Sequence, residues 1–274
     1  MIKAQGLKKI FKQGTIDEKV AINGIDLHIP RGYFVTVIGS NGAGKTTLLN
    51  LISGTVEPDE GEIFLDDTRV THLSEHKRAI YLGRIFQNPL MGTAASMTIE
   101  ENLAMADLRG QPRGLRWGVT KTRRGFYREK LKMLELGLED RLKESVSLLS
   151  GGQRQSLTLL MATLSLPKLL LLDEHTAALD PKTAQRVMEL TDKIISENNL
   201  TTIMVTHNMQ QAIRYGNCMI MLHEGKIMFQ VEGDAKNALT VEDVVRRFGA
   251  DLEDESLLCK PTLPDSPRLG GDRS

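Results

Sequence analysis

The stretch Gly39-Ser40-Asn41-Gly42-Ala43-Gly44-Lys45-Thr46 limits the folds open to this chain more than any other. Its spacing, G-x-x-x-x-G-K-T, brings backbone N–H groups, a lysine and a hydroxyl together on nucleoside phosphates and their cation. That convergence needs a strand entering the loop and a helix leaving it. Phe34-Val35-Thr36-Val37-Ile38 is a β-branched and aromatic run of strand length, and Thr46-Thr47-Leu48-Leu49-Asn50-Leu51-Ile52 has helical apolar spacing before Gly54. A bland glycine turn is the alternative, but the flanking elements favour a phosphate loop. Lys45 then reaches the β- and γ-oxygens and Thr46 ligates Mg²⁺.

Three further segments end in polar groups suited to the same edge. Leu169-Leu170-Leu171-Leu172-Asp173-Glu174 reads as a strand buried on both faces of a parallel sheet. Ligands in such sheets sit at the carboxyl ends of strands, so Asp173 is placed for the Mg²⁺ shell and Glu174 to polarise a water. Alternatively the pair caps a following helix. Thr201-Thr202-Ile203-Met204-Val205-Thr206 delivers His207, either a structural hydrogen-bonding group or, on the edge shared with Lys45 and Glu174, a contact to the γ-phosphate. Ala79 to Phe86 is strand-like and delivers Gln87, an amide that ligates Mg²⁺ or positions water, or else a plain turn residue before Asn88-Pro89.

Leu149-Ser150-Gly151-Gly152-Gln153 is a second glycine-backed helix start, whose free N–H groups and positive dipole end also favour an anion. Two such cradles suggest a nucleotide held between two copies of the chain.

In this order the pieces resemble the nucleotide-binding subunit of an ATP-binding cassette (ABC) transporter, over residues from about Gly6 to Gly233. Gly39 to Thr46 matches the Walker A loop, Gln87 the Q-loop, Leu149 to Gln153 the signature, Leu169 to Glu174 Walker B, Ala178-Leu179-Asp180 the D-loop and His207 the switch histidine. The resemblance implies an α/β P-loop NTPase fold: a mostly parallel core, an N-terminal antiparallel β part and an inserted helical subdomain carrying the signature. It implies MgATP bound by the Walker A residues with Thr47, and a head-to-tail dimer. In that dimer Ser150, Gly151, Gly152 and Gln153 of one subunit close over the γ-phosphate held by Lys45 of the other. It also implies an aromatic of the first strand stacked on adenine, with Phe11 the best candidate. Three positions depart from the commonest pattern: His175 stands where proline is usual, and Ser156 and Met161 replace arginines. The run Asp173 to Ala184 is similar to that of bacterial ATPases of tryptophan/tyrosine or related amino-acid importers. The implied system has a separate permease and a solute-binding protein, with this subunit peripheral on the cytoplasmic face of the cell membrane. An exporter ATPase, or a soluble cassette ATPase acting on DNA or ribosomes, is the alternative.

Composition bears on that choice. Lys and Arg number 35 against 35 Asp and Glu, so no basic field points to nucleic acid. No run approaches the ~18 apolar residues of a membrane span, and Met1-Ile2-Lys3-Ala4-Gln5 has no apolar signal core, which predicts a cytosolic chain. Cys218 and Cys259 show no metal or disulfide spacing and are expected to be reduced thiols.

A length of 274 residues suits a core with a smaller lobe. We expect an ATPase domain over 1–250, with a core of 1–87 and 166–235 and a helical lobe of 88–165, followed by a flexible acidic and proline-containing tail over 251–274. Helices are expected over Thr98–Ala106, Glu129–Leu138 and Gly151–Leu164, with a mobile hinge over Asn88–Met97. Arg109 to Arg128 includes Arg113, Arg116, Lys121, Arg123 and Arg124, with Trp117, Phe126 and Tyr127 interleaved and no acidic residue. It reads as a contact to lipid headgroups or permease, or as a solvated loop.

Overall fold

The computed structural model describes residues 1–111 and 118–248. The chain reaches Gln87 through β1 (Ile2–Phe11), β2 (Lys19–Ile29), β3 (Phe34–Ile38), α1 (Lys45–Ser53), β4 (Glu60–Leu65), β5 (Thr68–Arg69), α2 (Glu75–Arg78) and β6 (Leu82–Ile85). Three helices follow: α3 (Ile99–Asp107), α4 (Lys121–Lys132) and α5 (Gly151–Thr163). Next come β7 (Leu169–Asp173), α6 (Pro181–Asn198), β8 (Thr201–Val205), α7 (Met209–Arg214), β9 (Cys218–His223), β10 (Lys226–Glu232), α8 (Gly233–Asn237) and α9 (Val241–Phe248).

Two sheets result. One is antiparallel with order β2-β1-β4-β5, and the other has order β10-β9-β3-β8-β7-β6, parallel except for β10 on β9. This is the expected α/β P-loop architecture. The unbroken leucines of β7 show why its central strands are apolar throughout. Leu169 and Leu171 pack with Leu48 and Ile52 of α1 and with Ile2 and Ile22 of the antiparallel sheet. Leu170 and Leu172 face the other way, onto Met188, Ile194 and Ile195 of α6.

A separate apolar cluster joins Ile99 and Leu103 of α3, Tyr127 and Leu131 of α4, and Leu157 and Leu160 of α5. On another face of α5, Leu159 enters the core beneath the parallel sheet. Helix α5 therefore packs into both bodies and sets its own N-terminus relative to the sheet.

Several local expectations change. The strand expected over Ala79 to Phe86 shortens to Leu82–Ile85, because Ala79 closes α2 with an N–H donated to the Glu75 carbonyl. The helix expected over Glu129–Leu138 lies earlier, at Lys121–Lys132: the Thr120 side chain caps its start, and the left-handed backbone at Glu135 prevents it continuing. The helix opening at Thr98 carries a capping box with Glu101.

The segment Asn88–Met97, expected to be loose, is tied down. The buried Asn102 accepts from the Ala94 N–H and donates to the Ala94 and Thr98 carbonyls. Within the basic segment, Arg124 forms a two-pronged pair with Glu100, Arg123 meets Asp107 at 3.4 Å, and Arg109 donates to the Leu82 carbonyl. Arg123 and Arg124 thus serve the lobe internally, while Arg109 ties it to β6. Arg113, Arg116 and Trp117, the tail over 251–274 and Cys259 lie outside the described residues. Cys218 is a buried free thiol.

Arg78 is fully buried. Its guanidinium donates to the carbonyls of Leu51 and Ile52 in the last turn of α1, and to those of Thr71 and Leu73 between β5 and α2. A cation there complements the negative end of the helix that the phosphate loop begins. Removing it leaves several buried carbonyls unpaired, so Arg78→Ala should destabilise the chain by about 3 kcal/mol in urea unfolding. Arg78→Lys should recover only part of that loss, since one ammonium cannot span all four acceptors.

Candidate active site

The loop between β3 and α1 takes its shape from close backbone approach. A Cβ at Gly39 would lie 2.2 Å from the Leu222 carbonyl oxygen, and one at Gly44 would lie 2.5 Å from that of Ala21. Gly44 also has φ +101° at the start of α1, a conformation side chains resist. Lys45 turns back along the loop and donates to the carbonyls of Gly39 and Ser40 at 2.7 and 2.9 Å.

A cavity of about 210 Å³ lies over the loop. Phe11 and Lys19 line it with Asn41, Gly42, Gly44, Lys45, Thr46, Thr47 and Glu174. Ala43 is instead buried, with its carbonyl accepting the Gly225 N–H. Phe11 and Lys19 are cross-strand partners where the connecting loop joins β1 to β2. Phe11 is 38 % exposed, with the Lys9 ammonium 5.7 Å from its ring centroid, so its ring is available to a flat apolar ligand.

The parallel register brings the other groups to this edge. Ile85 pairs with Leu172, Asp173 with Val205, and Val205 with Val37, so four strands end level beside the loop. Gln87 Nε2 donates to Glu174 Oε2 at 3.2 Å, and His207 Nδ1 lies 3.4 Å from the same oxygen. Asn208 caps α7 directly after His207, accepting the Gln211 N–H, and so turns the chain away once the imidazole has been placed. Thr46 Oγ1 donates to Asp173 Oδ1 at 3.4 Å.

Two adjacent carboxylates thus sit in different environments. Burial pushes the Asp173 carboxyl above its usual value, a neighbouring Glu174 charge adds to this, and Arg84 opposes it from 3.8 Å. Glu174 is held below its usual value chiefly by the bond to His207, and the His207 imidazole is correspondingly raised. A buried carboxylate beside a hydroxyl is a set of hard oxygen donors that fits Mg²⁺, which usually takes one or two carboxylates and completes its shell with waters and substrate phosphates.

Arg84 escaped sequence reasoning. It reaches from β6 to Asn50, Ser53 and Thr55 at the end of α1, lies over the Phe86 ring and faces Asp173. A lone cation inside an apolar strand run was the available signal. Lys19 escaped too, because its place in the cavity follows only from the pairing of β1 with β2. His175, the departure from the commonest pattern, is buried and kept neutral, its value lowered to about 4 by burial.

Ser150 caps α5: its hydroxyl accepts the Gln153 N–H at 3.3 Å, and Gln153 Oε1 accepts the Ser150 N–H at 3.2 Å. Among the described residues, none from Leu149 to Gln153 lines the cavity over the phosphate loop. Within one chain the second cradle therefore remains apart from the first.

The family model described as ABC transporter matches residues 22–177. The chain is 45 % identical over 248 residues to the tyrosine transport ATP-binding protein of Clostridioides difficile (strain R20291), covering 90 % of this chain and 98 % of that protein. It is 34 % identical to the methionine import ATP-binding protein MetN of Escherichia coli (strain K12), covering 84 % of this chain but 65 % of MetN. Among solved structures, the dimeric ATP-binding cassette MJ0796 bound to ADP and Pi superposes with a TM-score of 0.72 at 31 % identity, covering 85 % of this chain and 98 % of that one. The chain belongs to the ABC transporter family and is an ATP-binding, ATP-hydrolysing subunit of it.

The Glu174–His207 pair carries a pH signature. Charged in the folded state, it stabilises the chain fully where unfolded glutamate is ionised, above 4.5, and unfolded histidine is protonated, below 6.5. The contribution fades as pH falls through the depressed Glu174 value, and equally as it rises through the raised His207 value. His207→Ala should therefore lower the Tm most between those limits, and the two melting curves should converge toward about pH 9, where the imidazole is neutral in both states.

Proposed function

We propose that this chain powers solute import, with an amino acid as the most fitting class of cargo, by hydrolysing MgATP at two sites shared between two copies. The observation that carries the chemistry is the Glu174 carboxylate, held by Gln87 and His207 beside the phosphate loop. Lys45 and the loop amides bind the β- and γ-phosphates, and the Phe11 ring stacks on adenine. Thr46, Asp173 and the Gln87 amide oxygen hold Mg²⁺, which when bound neutralises phosphate charge. Glu174 orients the attacking water and accepts its proton, while His207 and Gln87 keep the carboxylate ionised and aimed. Phosphoryl transfer asks mainly for such positioning and charge stabilisation, so an ionised base of modest strength is adequate.

The second cradle supports the paired arrangement. Ser150 and the N–H groups after it are offered at the start of α5, away from the cavity of their own chain. A partner subunit's phosphate site, approached head to tail, gives them an anion. That MJ0796 forms a dimer supports this reading. We take residues 88–165 as the lobe that moves with the signature, and 1–87 with 166–235 as the core.

The cargo reading rests on the functions of the relatives, one transporting tyrosine and another importing methionine. A separate permease supplies the path and this subunit docks on its cytoplasmic face, a reading that the transport roles of these relatives support. A solute-binding protein completes the importer. Calorimetry of the binding protein encoded beside this chain, titrated with tyrosine, tryptophan and methionine, tests the class. Binding none of the three, or having no such neighbour, contradicts it.

Two substitutions test the site. Glu174→Gln should give a stable ATP-bound dimer by gel filtration, with turnover reduced by about 10³-fold; normal hydrolysis by this variant removes Glu174 from its role. Ser150→Arg should abolish turnover and dimer closure while leaving ATP binding to a single subunit within about twofold. Intact turnover there rejects the shared site.

A further inference from the structure

Glu174 has a backbone φ of +45°, in the left-handed region that a glutamate adopts only when its surroundings impose it. The Glu174 N–H donates to the Val205 carbonyl, and the Glu174 carbonyl accepts from the Ala177 N–H, each at 3.0 Å. The next side chain, His175, enters the apolar interior at only 2 % exposure. There its Nε2 meets Thr191 Oγ1 of α6 at 3.2 Å. The Thr191 hydroxyl donates its one proton to the Val187 carbonyl at 2.7 Å, so it can only accept from the imidazole. The ring is thereby fixed as the Nε2–H tautomer, donating to α6. Asp180 caps the same helix.

We propose that the His175–Thr191 hydrogen bond is a positioning element for hydrolysis, anchoring β7's end to α6 so that Glu174 keeps its left-handed backbone and its carboxylate stays between Gln87 and His207. This rests on the reading of Glu174 as the group that orients water. An unanchored residue 175 lets the peptide relax toward the ordinary regions, swinging the carboxylate away from both partners. The phosphate loop takes no part in the bond, so nucleotide affinity is spared. The consequence is a loss in kcat without a matching change in KM.

Thr191→Val is the sharpest test, because it keeps shape and burial while deleting the acceptor. Steady-state ATPase assays of the full chain should show kcat reduced about tenfold with the KM for ATP within about twofold, and Thr191→Ser should restore kcat. Nitrogen-15 shifts of the His175 ring should report the Nε2–H tautomer in the parent and in Thr191→Ser, but a tautomer mixture in Thr191→Val. Unchanged kcat in Thr191→Val overturns the proposal. So does a loss that Thr191→Ser leaves unrestored, or one matched by an equal rise in KM. Glu174→Gln, assayed alongside, separates the two levels: normal turnover there removes the reading of Glu174 itself, whereas a dead Glu174→Gln with a fully active Thr191→Val removes only the anchor.

Discussion

The parallel pairing of β3, β8, β7 and β6 is the constraint on which the rest depends. These strands are buried on both faces, and their side chains alternate between the core holding α1 and the core holding α6. A slip of one residue in β7 would draw either Lys168 or Asp173 into the place of a core leucine. Because register cannot drift, the strand ends stay level, and Lys45, Gln87, Glu174 and His207 reach one edge from distant parts of the sequence. The edge is thus a by-product of core packing, and its chemistry uses the groups that packing delivers there.

That edge divides labour between adjacent carboxylates. Asp173 is pushed toward its neutral form by burial and therefore gains most from a cation, while Glu174 is held ionised by His207 and so suits a water molecule. Environments that drive two neighbouring acids apart are how one site assigns two roles to one functional group. Arg84 extends the same logic by tying Asp173 to the far end of α1 through Asn50. The helix that starts at the phosphate loop is therefore braced at its other end by two cations, the fully buried Arg78 and the partly buried Arg84.

Much of this was legible from residues alone because the signals are local. Glycine spacing with a strand before and a helix after names the phosphate loop, and Thr98 with Glu101 marks a helix start that the structure keeps. The carboxylates and His207 are read from their places at the ends of apolar runs. The misses were interactions between segments far apart in sequence. Arg78 looks like a surface charge until the carbonyls it meets are folded around it, and the partners of Arg84 come from α1, far away in sequence. Helix α4 was displaced because its start depends on the Thr120 cap and its end on left-handed residues, neither of which leaves a periodic trace. The loop after Gln87 looked loose because Asn102, which ties it down, acts from the following helix.

The sequence by itself determined the family and the two glycine-backed helix starts, since each depends on residue types at short, fixed spacings. Only the tertiary structure decided that the two cradles stay apart within one chain. It alone set Glu174 in a left-handed backbone between Gln87 and His207, and turned His175 inward onto α6. The reason is geometric: spacing along a chain fixes what a segment can bind, whereas the distance between segments comes from how their apolar faces share a core.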